Sequence, residues 1–570
     1  MAVFAAAVCL LVYWVGYRFY AGYLSRQVFS LREDFVTPAV SMRDDVDYVP
    51  TNRFVLFGHH YASITGLSPM LGPAIAVIWG WLPGMIWVVV GALLVGCVHD
   101  FSALVMSIRA RGLSVGAITE GIIGSRAKSM FHVIIFFGIA LAMGVFVSVI
   151  STLFTPEFYP QAVAPSFILM GIAAVAGVLV FRRGTPPLGA GAVGFVLTLI
   201  AVGLSATGVL PSPSWDDRDG WGYLLLGYSF LASVLPVWLL LQPRDFINSI
   251  LLYLGIVLMY GGFAVLGPDF SSPAVVMNPP GAPPMFPFVF VVIACGAVSG
   301  FHGLVSSGTT SKQIAVERDA RMIGYGGMIG ESLLGLMAVL ACTAGFATAE
   351  GWHSHYASWT SANSLGSKIS VFIDGSARFV AALGIPTSLA TALISVVVVS
   401  FALTTLDSAT RLLRYNIAEI GEGLGLHQEN RFLTSAMAVL VIGFFAFYRV
   451  DGQPVGLSLW ALFGTTNQLL ASLTLLVATM YLYRRGRNFW ITLIPTLLMA
   501  VTTLVAMVRN LLGYWGESQW LLLGVGVLLL VLGFGIAIEG GLSFARTRRL
   551  PLTESLEVFA PEHPEDSFSG

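Results

Sequence analysis

The chain has 570 residues, of which 56% are hydrophobic and only 10% are charged, and its formal net charge is −1. A soluble domain carries about 25% charged residues because water must wet its surface, so this composition excludes a soluble globule of this size. The near-neutral charge also argues against nucleic acid as a partner, since nucleic-acid binding needs a basic face. The sequence therefore predicts an all-α polytopic protein that is embedded in a lipid bilayer.

Fifteen apolar segments are long enough to cross the hydrocarbon layer, which takes about 20 residues. The predicted transmembrane segments are 1–24, 54–80, 82–108, 129–152, 166–182, 188–210, 222–241, 247–267, 288–306, 322–349, 386–407, 432–448, 459–481, 489–511 and 519–540. The longer connection 350–385 contains an amphipathic stretch, 364–383, which is predicted to lie along the outer surface of the bilayer.

The lysines and arginines predict the orientation, because they accumulate in cytoplasmic connections. With the N-terminus placed outside, 24 of the 29 basic residues fall at inner connections. The five exceptions are Arg218, Lys368, Arg378, Arg449 and Arg509. This split predicts a multi-pass protein of the cytoplasmic (inner) membrane with its N-terminus outside and its C-terminus inside.

Two predicted spans contain residues that break helices. The second span carries Ser63-Ile64-Thr65-Gly66-Leu67-Ser68-Pro69, and the seventh carries Ser233-Val234-Leu235-Pro236. These spans lie five helices apart and run in opposite directions, which is typical of a five-plus-five inverted repeat whose discontinuous helices form a site near the membrane midplane. Ordinary proline kinks are the alternative, because prolines are frequent in transmembrane helices.

The predicted substrate site combines these breaks with polar residues of the ninth span. Open helix N-termini offer N–H groups and a positive dipole to an anionic solute. No arginine is obvious within the membrane near the breaks, so we expect dipoles, hydroxyls and histidines to bind a carboxylate. The residues predicted to bind substrate are Ser63, Thr65, Gly66, Ser68, Ser233, Leu235, Pro236, Ser299 and His302.

Ionisable residues inside spans predict a site for the coupling ion, because burying them in the membrane is costly. The predicted coupling residues are His59, His60, His99, Asp100, Ser306 and Ser307. Three interpretations stay open for the histidines: structural hydrogen bonds at broken helix ends, proton or substrate handling, and metal binding. Adjacent histidines on a helix point about 100° apart, so His59 and His60 are not expected to share one ion, and we expect no metal site.

Other polar residues receive structural interpretations. Asp407 is expected to pair with Arg411 one turn further on. The run Thr465-Thr466-Asn467-Gln468 is expected to hydrogen-bond between helices. The hydroxyls of the ninth span could serve sodium, so the coupling ion is left open between H⁺ and Na⁺, and no other cofactor is expected.

Several long stretches resemble the carbon starvation protein A family. They are Arg53–Gly66 (RFVLFGHHYASITG), Gly80–Gly84 (GWLPG), Gly96–Phe101 (GCVHDF), Ala232–Phe246 (ASVLPVWLLLQPRDF), Gly296–Gln313 (GAVSGFHGLVSSGTTSKQ), Gly324–Glu331 (GYGGMIGE), Phe401–Arg414 (FALTTLDSATRLLR) and Leu459–Leu470 (LWALFGTTNQLL). The resemblance covers roughly residues 50 to 510. It implies uptake of peptides or proton-coupled uptake of pyruvate during carbon starvation, in the bacterial inner membrane.

The same resemblance implies a relation to the amino acid–polyamine–organocation superfamily, whose members have the LeuT-like inverted repeat. Mapped here, residues 1–53 form the first helix and its cytoplasmic connection, 54–210 the first repeat and 222–407 the second. Residues 432–540 then form four additional helices, and 541–570 form a cytoplasmic tail.

The predicted function is therefore secondary active transport of a small carbon source, pyruvate or short peptides, by cation-coupled symport. The expected partners are this anionic or peptide solute and the lipid bilayer, and the oligomeric state is left open. A nucleotide-binding loop of the GxxxxGK[ST] type does not occur in the sequence, which disfavours ATP-driven pumping. The alternatives are a nutrient sensor that acts through a partner, a membrane enzyme and, more weakly, a channel.

Overall fold

The computed structural model describes residues 1–45, 47–213, 215–426, 430–450, 453–454 and 456–547, so most of the predicted tail 541–570 lies outside the described residues. The first ten helices that we label are α1 (Ala2–Val28), α2 (Arg53–Ile64), α3 (Ser68–Trp79), α4 (Trp81–Arg109), α5 (Val115–Ile122), α6 (Ser125–Leu153), α7 (Pro160–Arg183), α8 (Pro187–Ala206), α9 (Arg218–Val234) and α10 (Leu241–Leu266).

The remaining labelled helices are α11 (Met285–Val292), α12 (Gly300–Gly308), α13 (Glu317–Ala344), α14 (Leu365–Ala381), α15 (Thr387–Gly423), α16 (Arg431–Phe447), α17 (Gly456–Arg484), α18 (Trp490–Gly516) and α19 (Trp520–Thr547). Short helices cover Pro38–Ser41, Ala349–His355 and Trp359–Ala362. Two strands of two residues, β1 (Arg449–Val450) and β2 (Gln453–Pro454), pair antiparallel.

Within the described residues, eleven helices are long and apolar enough to cross a membrane, and a bent pair raises the number to twelve. Each of the fifteen predicted segments overlaps a helix or a pair of helices separated by a short break. The all-helical membrane class is therefore confirmed, whereas the count of fifteen spans stays a prediction.

The predicted break in the second span is confirmed. Helix α2 ends at Ile64, Thr65 is extended, and α3 starts at Ser68 with a bend of 49° between the two helices. Pro69 lies in the first turn of α3, where a proline is tolerated because its missing N–H would have no helical partner. The sequence Thr-Gly-Leu-Ser-Pro thus ends one helix and begins the next.

The prediction of a second break inside a span at 233–236 is wrong. Helix α9 ends at Val234, Leu235 is extended, and the next helix begins only at Leu241. Pro236 disfavours a helical conformation for the residue before it, so the motif ends a helix instead of interrupting one. Arg414 Nη1 donates to the Ser233 carbonyl at 2.8 Å, and Arg411 donates to the Ala232 carbonyl at 3.0 Å, so these arginines satisfy the exposed carbonyls of the helix end.

The second interruption lies at 293–299, inside the segment 288–306 that the sequence predicted as one continuous span. Helix α11 ends at Val292 and α12 begins at Gly300. Gly296 has φ +86°, a conformation that residues with a side chain rarely adopt. A methyl group at Gly296 would lie 3.5 Å from Pro69 Cβ, so the two interruptions are in contact.

The two broken helices run in opposite directions. We call the side that holds Met1 the N-terminal face; the Met1 amino group contacts Asp269 there at 2.6 Å. The chain leaves α3 on this face, where the Trp81 amide donates to Pro273 at 3.2 Å. Helix α12 instead leads to Gln313 on the opposite face, where Gln313 accepts from the Thr51 amide just before α2.

Helices α6 and α15 pack along each other beside the broken helices. Segment 350–385, predicted to lie along the bilayer surface, differs from that expectation, because α14 packs against α3, α10, α13 and α15. Its amphipathic pattern arises because one side, including Lys368, Phe372 and Phe379, is buried in protein.

Candidate functional site

The first break brings four predicted substrate residues into the protein interior. Ser63, Thr65 and Ser68 are all at most 3% exposed. Ser63 Oγ lies 3.5 Å from an Asp245 oxygen, whereas the Thr65 and Ser68 hydroxyls have no hydrogen-bond partner among the described residues. A methyl group at Gly66 would lie 2.9 Å from a side-chain oxygen of α15, so this position needs glycine for close packing.

The predicted coupling residues His99 and Asp100 form one buried chain with Glu331 and with His302, which the sequence assigned to the substrate site. We call these four residues the His302 network. Asp100 accepts from His99 Nδ1 at 2.7 Å and from His302 Nδ1 at 2.8 Å. The other ring nitrogen of His302 lies 3.2 Å from Glu331 Oε2. All four side chains are 0% exposed, so one imidazole lies between two carboxylates in a site that is closed to bulk solvent.

Helices α4, α12 and α13 hold this network in place. His99 and Asp100 lie on α4, His302 follows the second break by two residues on α12, and Glu331 lies on α13. Because α12 begins at Gly300, His302 is in its first turn, beside the interrupted backbone.

His59 and His60 point to different partners, as the helical geometry predicted. His59 Nδ1 donates to Asp245 Oδ2 at 2.8 Å, whereas His60 Nδ1 lies 2.8 Å from Thr310 Oγ1.

The hydroxyls of the ninth predicted span have mixed roles. Ser299 Oγ exchanges hydrogen bonds with the Asn467 amide at 3.1 and 3.3 Å, and that amide oxygen also accepts from the Phe301 N–H at 2.9 Å. Ser307 Oγ donates to the Gly303 carbonyl at 2.7 Å and accepts from the Val115 amide at 3.1 Å. These contacts fix α12 to neighbouring helices, and Asn467 bonds between helices as predicted.

Ser306 has a different environment. Its Oγ is buried and has no hydrogen-bond partner among the described residues.

Three predicted substrate residues belong to the end of α9. Ser233 Oγ lies 2.9 Å from Ser435 Oγ, and Leu235 directs its carbonyl to Arg411. The structure therefore does not bring Ser233, Leu235 and Pro236 together with the first break in the way that the sequence predicted. Arg411 is engaged here, so the expected pair between Asp407 and Arg411 is also wrong.

A cavity of about 380 Å³ lies between the two broken helices, toward the N-terminal face. Ser68 of the first broken helix and Cys295 of the second break line it, together with Lys368 of α14 and Trp460 of α17. Cys295 connects this cavity to the His302 network, because its Sγ and ligand atoms of His302 and Glu331 all lie within 4.8 Å of one another. These three residues could also hold a metal ion, although the sequence predicted no metal site.

The family model described as "Carbon starvation protein CstA" matches residues 1–506. A relative named peptide transporter CstA, from Campylobacter jejuni subsp. jejuni serotype O:2, is 31% identical over 580 residues, which cover 89% of this chain and 80% of that protein. The chain belongs to the CstA family.

Two further likenesses are informative. The pyruvate/proton symporter BtsT of Escherichia coli K12 is 37% identical over 352 residues, covering 58% of this chain and 48% of that protein. A solved manganese transporter of Eremococcus coleocola has a TM-score of 0.50 at 13% identity and covers 89% of this chain and 99% of that chain. At that identity the likeness concerns the fold alone.

The sequence analysis missed a second buried network in this CstA-family chain. We call it the Arg244 network; its members are His59, Tyr228, Arg244, Asp245 and Asp407. Arg244 Nη2 donates to Asp245 Oδ1 at 3.0 Å, and Arg244 Nη1 contacts Asp407. Tyr228 donates to Asp407 Oδ2 at 2.6 Å.

An arginine is thus buried inside a span, contrary to the expectation that none lies there. The sequence analysis counted Arg244 among the basic residues of an inner connection, because it precedes an apolar run. The adjacent Asp245 was the available signal, since an acid beside an arginine at the start of a span suggests a buried pair.

Proposed function

We propose that this chain is a secondary active transporter that carries a small carboxylate solute, pyruvate or a short peptide, across the bacterial inner membrane together with a proton. Relatives named as a peptide transporter and as a pyruvate/proton symporter support this assignment. The fold supports it as well, because irregular backbone at membrane depth is tolerated where it lines a protected cavity.

The single observation that supports a proton as the coupling ion is the position of His302 between Asp100 and Glu331. Histidine changes its charge near neutral pH, and two carboxylates stabilise the imidazolium form. Protonation changes the net charge of this buried group. It can therefore bias the equilibrium between two conformations that surround the group differently. Sodium would prefer carbonyl and hydroxyl oxygens, and Ser307 is already engaged in packing α12.

We also propose that ten helices form two inverted repeats, divided differently from the sequence-based assignment. The first repeat consists of α2–α3, α4, α6, α9 and α10, and the second of α11–α12, α13, α15, α16 and α17. Helices α7 and α8 form an inserted hairpin in the first repeat, and α1, α18 and α19 lie outside the ten.

Equivalent packing supports this division. Helix α3 packs against α13, and α12 packs against α4, so each broken helix contacts the second helix of the other repeat. Helix α10 packs against α2, and α17 packs against α12, so the fifth helix of each repeat contacts the broken helix of its own repeat. Such repeats provide the two states of alternating access.

Uptake into proteoliposomes tests the proposal. The purified chain should accumulate labelled pyruvate or dipeptide under an imposed inward proton gradient and not under a sodium gradient alone. His302→Gln should abolish accumulation, because glutamine keeps a polar side chain and cannot take up the proton.

His132→Gln is the matched control, because His132 is also a buried histidine and contacts Asn416 at 2.9 Å, away from the His302 network. It should accumulate solute like the unmodified chain. Accumulation by His302→Gln at the unmodified level, or accumulation driven by sodium alone, would overturn proton coupling at this site.

A further inference from the structure

The cavity between the two broken helices contains one charged side chain, Lys368, that has no hydrogen-bond or ionic partner among the described residues. Among the described residues that line it, Lys368 is the one cation, and none of them is aspartate or glutamate. Lys368 is 1% exposed, and its Nζ has no hydrogen-bond partner among the described residues. Its Nζ lies over the ring of Trp460, 5.8 Å from the ring centre.

An unpaired buried ammonium is costly, because burial removes its water without supplying a compensating charge. Helix α14 lies outside the eleven candidate spans, and burial lowers the pKa of Lys368 to about 7. A carboxylate beside Nζ would restore the charged form and form a charge-assisted hydrogen bond. The position of Lys368 therefore suits an anion that arrives from outside the chain.

A second polar group without a partner lies in the same cavity. Ser68 Oγ is buried and lacks a hydrogen-bond partner among the described residues, and Ser68 opens helix α3 after the first break. A hydroxyl and an ammonium in one otherwise mainly apolar cavity are the groups that a carboxylate needs.

We propose that Lys368 and Ser68 bind the carboxylate of the transported solute in this cavity. The inference rests on the proposed transport function and names the part of the chain that recognises the solute. The volume of about 380 Å³ falls in the range of small-molecule sites, so it does not restrict the solute to pyruvate. The described lining residues include no acidic side chain that could pair with an amino group. A solute whose carboxylate is its one charged group therefore fits this cavity better than a solute that also carries an ammonium.

The location also connects binding to the proton site. Cys295 lines the cavity, and its Sγ lies within 4.8 Å of ligand atoms of His302 and Glu331. A carboxylate held by Lys368 thus lies in the cavity that Cys295 joins to the His302 network.

Equilibrium binding of labelled pyruvate to the full chain in lipid nanodiscs tests the site. Lys368→Met keeps the length of the side chain and removes the charge, so the affinity should fall about 10- to 100-fold, the worth of one charge-assisted hydrogen bond. Lys368→Arg should retain most of the affinity. Lys128→Met is the matched control, because Lys128 is paired with Glu120 at 2.7 Å outside the cavity, and it should bind like the unmodified chain.

Competing ligands identify the recognised group. An N-acetyl amino acid has a carboxylate and no amine. It should displace pyruvate better than the corresponding free amino acid, and better than the N-acetyl amino acid amide, which lacks the carboxylate. Equal displacement by the amide would overturn the carboxylate assignment.

A separate measurement does not depend on the folding of the Lys368 variants. Asn363 lines the same cavity as the free thiol Cys295. Asn363→Cys, made together with Cys295→Ala, should therefore react with a maleimide, and pyruvate should slow that reaction in the chain with Lys368 intact. The inference would be overturned if pyruvate did not slow the labelling, or if Lys368→Met bound pyruvate as tightly as the unmodified chain. Either result would leave the proposed transport function intact. Failure of the unmodified chain to accumulate any carboxylate under a proton gradient would instead overturn the proposed function.

Discussion

The His302 network and the Arg244 network each place two buried carboxylates around one basic side chain, and that side chain differs. Each holds a histidine and two carboxylates that are 0% exposed. In the Arg244 network a guanidinium contacts both carboxylates, and arginine stays protonated at any physiological pH. In the His302 network the central side chain is an imidazole, which, unlike a guanidinium, has a neutral form. Under the proposed function, the permanent cation makes the Arg244 network structural, whereas the imidazole of the His302 network can change its charge during transport.

Removing the permanent cation should have the largest effect. Arg244→Met leaves Asp245 and Asp407 buried without their shared partner, which costs about 3–5 kcal/mol. We expect little monodisperse protein in size-exclusion chromatography. Arg318→Met, which removes an exposed arginine paired with Glu33, is the control and should elute normally. Normal elution of Arg244→Met would contradict the stabilising role of Arg244.

Neutralising a carboxylate should separate the two networks by the property that changes. Glu331→Gln should fold and bind solute but lose accumulation driven by a proton gradient, because His302 then has one acid instead of two. Asp407→Asn should mainly lower the melting temperature, since it leaves the Arg244 guanidinium under-compensated. Thermal unfolding and proteoliposome uptake, measured on both variants, check the assignment. The opposite result is that Glu331→Gln retains accumulation and Asp407→Asn loses it at unchanged stability. It would place proton coupling in the Arg244 network instead of the His302 network.

The imidazole of the Arg244 network should matter much less than His302. His59 donates one hydrogen bond to Asp245, which Arg244 already neutralises. His59→Gln should therefore change uptake by about tenfold or less, the worth of a single typical hydrogen bond. A complete loss of proton-driven uptake would move His59 into the coupling site that the sequence predicted.

The smallest effect is expected at Ser233. Its hydroxyl contacts Ser435 at the end of α9, so Ser233→Ala should cost roughly 0.5–1.5 kcal/mol of stability and leave the pyruvate affinity unchanged. Ser68→Ala, in the cavity, is the comparison variant and should weaken binding. A clear loss of affinity in Ser233→Ala would restore the sequence-based location of the substrate site.

The sequence predicted the first break and missed the second for a physical reason. Ser68-Pro69 marks the start of α3 because proline suits the first turn of a helix. At 293–299 the signal is weaker, since Gly296 and the pair Ser299-Gly300 lie in an apolar run without proline. Proline at 236 marked a helix end equally well, and a local pattern does not distinguish the end of a span from its middle.

The histidines of the site were predictable, whereas the cations were not. His99, Asp100 and His302 lie inside apolar segments, where an ionisable residue is conspicuous. Arg244 and Lys368 lie at segment ends, where basic residues are ordinary, and their environments depend on distant helices. The partner Asp407 is 163 residues from Arg244, so no local spacing indicates the pair.

The most direct test of proton coupling at His302 is the proton flux that accompanies solute entry. Proteoliposomes that contain a trapped pH-sensitive dye would receive external pyruvate without an imposed gradient, using the unmodified chain, His132→Gln and His302→Gln. We predict that the first two acidify the lumen, whereas His302→Gln exchanges labelled for unlabelled pyruvate without moving protons. Lumenal acidification by His302→Gln at the rate of the unmodified chain would contradict proton coupling at His302.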